Sequence, residues 1–388
     1  MKLYVPEGEE LTAFKIADFK LISLDLSNSR SLAELTLTGT ALTKLDLQWN
    51  RCLQSVDITG NNFGADFTLA GANGSYGKNI LSHICLSNNG MTAVKLNEPG
   101  SWNYIDLSHN QLTEFNFTDA DYVTYLDLSH NDFESVKINY LGELKTFYCN
   151  DNLLSEIVMP ETNVIETFNC ANNRFTLPTL HDALSTFNSQ PSTLTYAPQA
   201  KIDIPTKGPG YNLSEQNITV DGAQTVFVWK TTDGETLEAG KDYTCDGGIT
   251  HFNDNTIGKT LYCELSHAAY PQFAGENVLM TTPMMSAGMP THLLATFTTL
   301  EGDQTARLSM TSAVPNNAVY IDWTGTESLE QYPITNASYT VFYPTTTKGA
   351  KVKVWSYDEN DNLTVLSLSG ATLADVDCSP MKNLTCFT

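Results

Sequence analysis

Six residues in the first half of the chain have the types and spacing of a recognition surface: His83, Tyr104, Asp106, Tyr125, Asp127 and Tyr148. Tyr104 and Tyr125 stand 21 residues apart, as do Asp106 and Asp127, and Tyr148 follows Asp127 by the same step. Exposed rings flanked by carboxylate acceptors suit a peptide, or a sugar whose C–H faces stack on aromatic groups. A plainer reading is that tyrosines on neighbouring strands stabilise a sheet. His109 and His130 keep the same step beside the two aspartates. A metal centre needs three or four converging ligands held by outer partners, and two histidines in repeated Ser-His-Asn turns fall short of that. The acidic run YDENDN, from Tyr357 to Asn362, lacks the glycine and closing glutamate of a calcium loop and reads as a solvated turn.

Signatures of catalysis are absent: there is no G-x-S-x-G, no H-E-x-x-H and no phosphate-binding glycine loop. Asp106 and Asp127 would make a poor glycosidase pair, because adjacent strands of an open sheet offer neither a cleft nor contrasting environments. The expectation is a binding protein with no catalytic residue, no metal and no cofactor.

What positions these residues is a repeat. WNYIDLSHNQL, VTYLDLSHNDF, LKTFYCNDNLL and IETFNCANNRF begin at Trp102, Val123, Leu144 and Ile165. Each copy has apolar residues at positions 1, 4, 6 and 11 and asparagine at position 9, and the phase runs back through Leu81, Leu53, Leu32 and Leu11 to give eight turns. One step departs, 28 residues from Leu53 to Leu81, and its excess around Gly71 to Gly77 is expected to bulge as a loop. Such a period predicts a β-solenoid with one short strand per turn around a continuous core. Positions 3, 5, 7 and 8 are expected to face outward on the concave sheet, with neighbouring turns about 4.8 Å apart. The second half of each turn, such as LTEFNF from Leu112, is too short for both a return loop and a helix, so the convex side should be extended or 3₁₀-like.

The motif L-x-x-L-x-L-x-x-N-x-L resembles the leucine-rich repeat family in its short, bacterial, internalin-like form, over Leu11 to Phe175. Asn61, Asn89, Asn110, Asn131, Asn152 and Asn173 fill one column, while Phe19 and Thr40 depart from it. The resemblance implies that this asparagine satisfies backbone groups at the turn, and that the first turns lack its bonds. It also implies protein or ligand binding on the concave face.

The chain carries 44 acidic and 21 basic residues, a net charge of −23. That surface repels phosphate backbones and anionic bilayers, so neither nucleic acid nor membrane is an expected partner. No apolar run is long enough to span a bilayer. Met1 leads directly into Lys-Leu-Tyr-Val, which reads as the middle of a strand, so an export or anchoring segment is expected to have stood before it. Among the eight cysteines, Cys149 and Cys170 share an inward position of adjacent turns and are expected as reduced core residues; a Cys245–Cys263 bridge is left open.

Beyond Phe175 the period ends. Leu177 to Gln199, with prolines and a short helical piece, reads as the cap that a solenoid's last turn requires, so the repeat domain spans 1–200. Residues 201–291 read as short alternating strands of a β-sandwich. There Trp229 and the pair Tyr262-Cys263 resemble inner residues of an immunoglobulin-like domain. Residues 292–360 form another β-rich stretch whose IDWTGT, with Asp322 and Trp323, resembles a turn of PKD-like sandwiches. From Leu363 the sequence aligns without gaps on that from Leu11, at a constant offset of 352, so 361–388 reads as the start of a second array. The combination is similar to surface proteins of gut anaerobic bacteria. The expected function is non-enzymatic recognition of a protein or peptide at the cell surface or outside the cell; the alternative is glycan capture for nutrient uptake.

Overall fold

The computed structural model describes residues 2–5, 11–64, 67–69, 81–96, 102–116, 120, 122–161, 164–300, 307–314, 317–323, 330–334, 340–342, 348–357, 362–370 and 372–387. The stretch from Gly71 to Gly77 and most of the acidic run after Tyr357 lie outside them. The chain divides into two units, Met1–Ala200 with Gln272–Val278, and Lys201–Pro271 with Leu279–Thr388.

In the first unit, apolar residues at positions 4 and 6 of each turn force the strand to turn one face inward. The result is a parallel nine-stranded sheet, running from Ala13–Ala17 at one edge to Thr193–Thr195 at the other. Register is strict: Tyr104 lies opposite Tyr125 and Tyr125 opposite Thr146, so each column of the repeat becomes a row across the sheet. Ile105, Leu107, Leu126, Leu128, Phe147, Cys149, Phe168 and Cys170 are fully buried along it. The step of 28 residues leaves this register intact, with Ser55 opposite His83. The convex side carries three-residue strands, Ser135–Lys137 beside Glu156–Val158 and Phe67–Leu69 beside Val94–Leu96, and no helix among the described residues.

Two columns hold each turn closed. Position 8 is left-handed in every turn, with φ of 53° to 67° at Asp18, Gly39, Gly60, Asn88, His109, His130, Asp151 and Asn172. Glycine takes that conformation freely, and asparagine, aspartate and histidine more readily than other residues. At position 9 the asparagine is buried and bonded on both sides. The Asn131 amide donates to the carbonyls of Leu107, Leu128 and Ser129 at 3.0, 3.1 and 3.2 Å, while its oxygen accepts from Leu112 N–H at 3.0 Å. Asn110, Asn152 and Asn173 repeat the arrangement. Thr40, in place of asparagine, keeps one link by donating its hydroxyl to Asn61 Oδ1.

At the far end the ladder is continued by a residue outside the repeat. Gln199 Oε1 accepts from Asn173 N–H and Phe175 N–H at 3.1 Å each, and its amide donates to Cys170 O at 2.9 Å. Thr176 opens the helix Leu177–Ser185, where Leu177, Leu180 and Ala183 are buried as the cap. Gln272 then bonds the Tyr196 backbone N–H and the Leu194 carbonyl, and the buried Phe273 ring meets Tyr196 edge-on.

In the second unit, one group of sheets is built on Val226–Thr231 paired with Thr260–Ser266, and on Gly210–Asn212, Ile249–Phe252 and Tyr243–Asp246. Trp229 is fully buried opposite Cys263, and its indole N–H donates to Thr250 Oγ1 at 3.0 Å. Tyr262 is not an inner residue: successive side chains of a strand face opposite ways, and it lies opposite Lys230 on the outer side. Cys245 and Cys263 are free thiols, as are Cys149 and Cys170.

The remaining strands form a five-stranded and a four-stranded sheet around a core that includes Leu294, Phe297, Leu308, Met310, Ile321 and Val354. Leu363–Ser369 pairs with Arg307–Ser312 in one of these sheets, and Leu373–Asp377 with His292–Thr299 in the other. Leu363 and Leu366 belong to the same core.

Candidate functional site

Each strand of the solenoid's outer face presents positions 3 and 5. His83, Tyr104 and Tyr125 at position 3 are half-buried and stacked face to face. The ring centroids are 4.3 Å apart for His83–Tyr104 and 4.2 Å for Tyr104–Tyr125, with interplanar angles of 15° and 7°. Tyr148 belongs to the neighbouring row, in register with Asp127, and its ring meets Tyr125 edge-on at 6.0 Å. All six expected residues therefore lie on one sheet in consecutive turns.

The stacking decides what the patch can offer. Tyr104 has a ring against each of its faces, so no flat surface of it is left for a sugar; the array presents ring edges and hydroxyl groups. Burial raises the pKa of the Tyr104 and Tyr125 phenols, helped by the nearby Asp106 and Asp127, so both stay neutral donors at any physiological pH.

The aspartates have a local duty as well. Asp106 Oδ1 accepts from Ser108 N–H at 2.9 Å, and Asp127 Oδ1 accepts from Ser129 N–H at 2.8 Å and from its hydroxyl at 2.6 Å. Asp25, Asp46 and Asn169 close the same turn two residues ahead. This Asx turn explains why Ser108 and Ser129 at position 7 do not face outward as expected but are buried beneath the rim; Ser87, which follows Cys85, is buried as well. Burial raises the pKa of Asp127, the Ser129 bonds oppose this, and Asp106 adds to it. Asp106 Oδ2 accepts from Cys85 Sγ at 3.4 Å.

His109 and His130 stack at 4.1 Å, and His130 Nε2 lies 3.5 Å from Asp151. Their place in the turn follows from the left-handed backbone at position 8. Among the described residues no three His, Cys, Asp or Glu side chains are grouped to hold a metal ion, and no helix is long and apolar enough to cross a membrane.

A second concavity, in the other unit, escaped the repeat-based reading. A cleft of about 450 Å³ is lined by Tyr211, His251, Tyr320, Glu330, Gln331 and Tyr332 among others. The Tyr320 hydroxyl accepts from Gln331 Nε2 at 2.9 Å and donates to the Lys207 carbonyl at 3.3 Å. The only sequence signal was a concentration of tyrosines in strands far apart along the chain, which no spacing rule connects.

Comparison with known proteins matches residues 50–66 to the family described as Leucine Rich repeat. No curated protein matches the chain. Among solved structures, the chain is similar to the functional domain of InlJ from Listeria monocytogenes, described as including a cysteine ladder. The match has 14% identity over 71% of this chain and 67% of that one, with a TM-score of 0.38.

Proposed function

We propose that the chain is a non-enzymatic binding module that recognises a protein or peptide on the concave face of its repeats, through Tyr104, Tyr125, Tyr148, Asp106, Asp127 and His83. The observation that carries this reading is the ring stack. Rings closed against each other offer hydroxyl edges beside a carboxylate row, which suits the backbone and cationic side chains of an extended peptide. The match of residues 50–66 to leucine-rich repeats supports the same class. The reading places the protein at the cell surface or outside the cell, with repeats over 1–200, immunoglobulin-like and PKD-like sandwiches over 201–291 and 292–360 as spacers, and a second array starting at 361.

Glycan capture is the second reading, and the aromatic and polar lining of the cleft around Tyr211, Tyr320 and Tyr332 favours putting it there rather than on the repeats. Selection of a displayed peptide library against the intact chain, beside a glycan array, tests both. Peptides selected by the chain should bind Tyr125→Ala about 1 to 3 kcal/mol more weakly, the range of an interface hot spot. Peptide binding unchanged in both Tyr104→Ala and Tyr125→Ala would refute the concave site; glycan binding lost in Tyr211→Ala but kept in Tyr125→Ala would favour the cleft.

A further inference from the structure

The ring stack closes one part of the concave face and leaves another open. His83, Tyr104 and Tyr125 cover one another, and beyond Tyr125 the same row continues with Thr146 and Thr167, too short to extend the stack. Tyr148 stands apart from it. Its neighbours along its own row are Asp127 and Asn169, both much shorter than a phenol ring. Tyr125 is the single ring it meets among the described residues, edge-on at 6.0 Å. Tyr148 therefore keeps the ring face that the stack takes from Tyr104.

The two carboxylates beside the rings are equally unlike. Asp106 is engaged at both oxygens, Oδ1 by Ser108 N–H and Oδ2 by the Cys85 thiol. Asp127 takes both its bonds, from the Ser129 N–H and hydroxyl, on Oδ1, and its Oδ2 has no partner among the described residues. Burial and the charge of Asp106 both disfavour this carboxylate in the free protein. Asp127 and Tyr148 are paired in register on adjacent strands, about 4.8 Å apart. An acceptor oxygen without a donor and a ring face without a cover thus lie side by side.

We propose, resting on the reading that the concave face binds a peptide, that this corner anchors one arginine side chain of that peptide. The guanidinium lies against the Tyr148 ring and donates one N–H to Asp127 Oδ2. A planar, weakly hydrated cation stacks on a phenol ring and still offers its edge to the carboxylate, whereas a compact, strongly hydrated ammonium gives up more water to do so. Because Oδ1 is already occupied, the contact is end-on rather than a two-bond fork. The bound cation offsets the electrostatic cost that Asp127 carries in the free protein. Asp106, with no oxygen to spare, remains a brace for its own turn.

The test starts from random dodecapeptides displayed on phage and selected against the intact chain. Peptides recovered are synthesised again with each arginine replaced by citrulline, which keeps the shape and removes the charge. At one arginine this replacement should weaken binding by about tenfold. The same replacement should change little against Asp127→Asn, which keeps an acceptor for Ser129 N–H, because the two changes remove one interaction. Tyr148→Ala should weaken the arginine peptide severalfold, Tyr148→Phe should restore it, and Asp106→Asn should matter far less than Asp127→Asn. Peptides that bind without arginine, a citrulline effect undiminished in Asp127→Asn, or a silent Tyr148→Ala would overturn the anchor, while weaker binding to Tyr125→Ala would still uphold the concave site. Binding indifferent to both Tyr104→Ala and Tyr125→Ala, or no peptide recovered, would overturn the concave reading and the anchor with it.

Discussion

Replacing Asn131 by alanine removes one rung of the ladder, and its cost can be worked out bond by bond. The Leu107 carbonyl keeps the Asn110 amide at 2.9 Å and the Leu128 carbonyl keeps the Asn152 amide at 2.9 Å, so each loses one of two donors. The Ser129 carbonyl keeps the His109 N–H. Leu112 N–H, whose acceptor is Asn131 Oδ1, is left buried without a partner. An orphaned buried N–H costs about 1–3 kcal/mol and each of the three further bonds lost about 0.5–1.5, so the variant should be destabilised by at least about 3 kcal/mol. For a unit of this size that lowers the thermal midpoint by about 6–12 °C. Urea and thermal unfolding followed by far-ultraviolet dichroism read both quantities. Asn131→Asp keeps the acceptor but turns a carboxylate toward three carbonyl oxygens. Its loss should be at least as large at neutral pH, and smaller in acid, where the protonated carboxyl regains a donor. A loss below about 1 kcal/mol for Asn131→Ala would mean that water or a shift of the turn replaces the rung, and the ladder account would fail.

The raised pKa of Asp127 means that ionisation is disfavoured in the folded state, a penalty present at neutral pH and absent below the unfolded carboxyl's pKa near 4. Asp127→Asn retains an acceptor for Ser129 N–H, so it should unfold at a higher temperature than the parent at pH 7, the difference vanishing as pH falls through the acid range; a lower midpoint at pH 7 would contradict this. Cys149, Cys170 and Cys263, buried and with pKa values raised by burial, should resist a thiol reagent under native conditions while the half-exposed Cys52 and Cys378 react, as mass spectrometry of the labelled chain will show. A Cβ on Gly210 would stand 1.9 Å from the Thr250 carbonyl oxygen, so Gly210→Ala should cost about 1–3 kcal/mol in the second unit, read from its urea transition, with the repeat transition unmoved.

The features legible in the sequence are those carried by columns. Period, inward row, asparagine ladder and the shared face of Tyr104, Tyr125 and Asp127 all follow from which residue recurs at which step, and backbone geometry translates a step into a face. The buried serines of position 7 were not legible, because simple alternation continues outward past the end of a strand, whereas the chain has already begun to turn under an Asx bond at Ser108 and Ser129. Ring stacking also escaped the reading: spacing places Tyr104 beside Tyr125 but says nothing of side-chain torsions. Gln199 and Gln272 act once each, through bonds to distant segments, and a single occurrence leaves no pattern to read. The cleft lined by Tyr211, Tyr320 and Tyr332 assembles from strands far apart in the chain for the same reason.

The ladder makes the array a ruler whose length is adjustable. Each asparagine ties its own turn to the one before, Thr40 supplies the link at the entrance and Gln199 at the exit, so neither end depends on how many turns stand between. Gain or loss of one 21-residue unit changes the length of the concave face by about 4.8 Å and leaves the type of every remaining contact unchanged. The step of 28 residues leaves the register between Ser55 and His83 intact, so the sheet tolerates a turn of unequal length. Such an architecture lets duplication of a short stretch of coding sequence enlarge a surface in one event, with point substitution at positions 3 and 5 left to change what that surface presents.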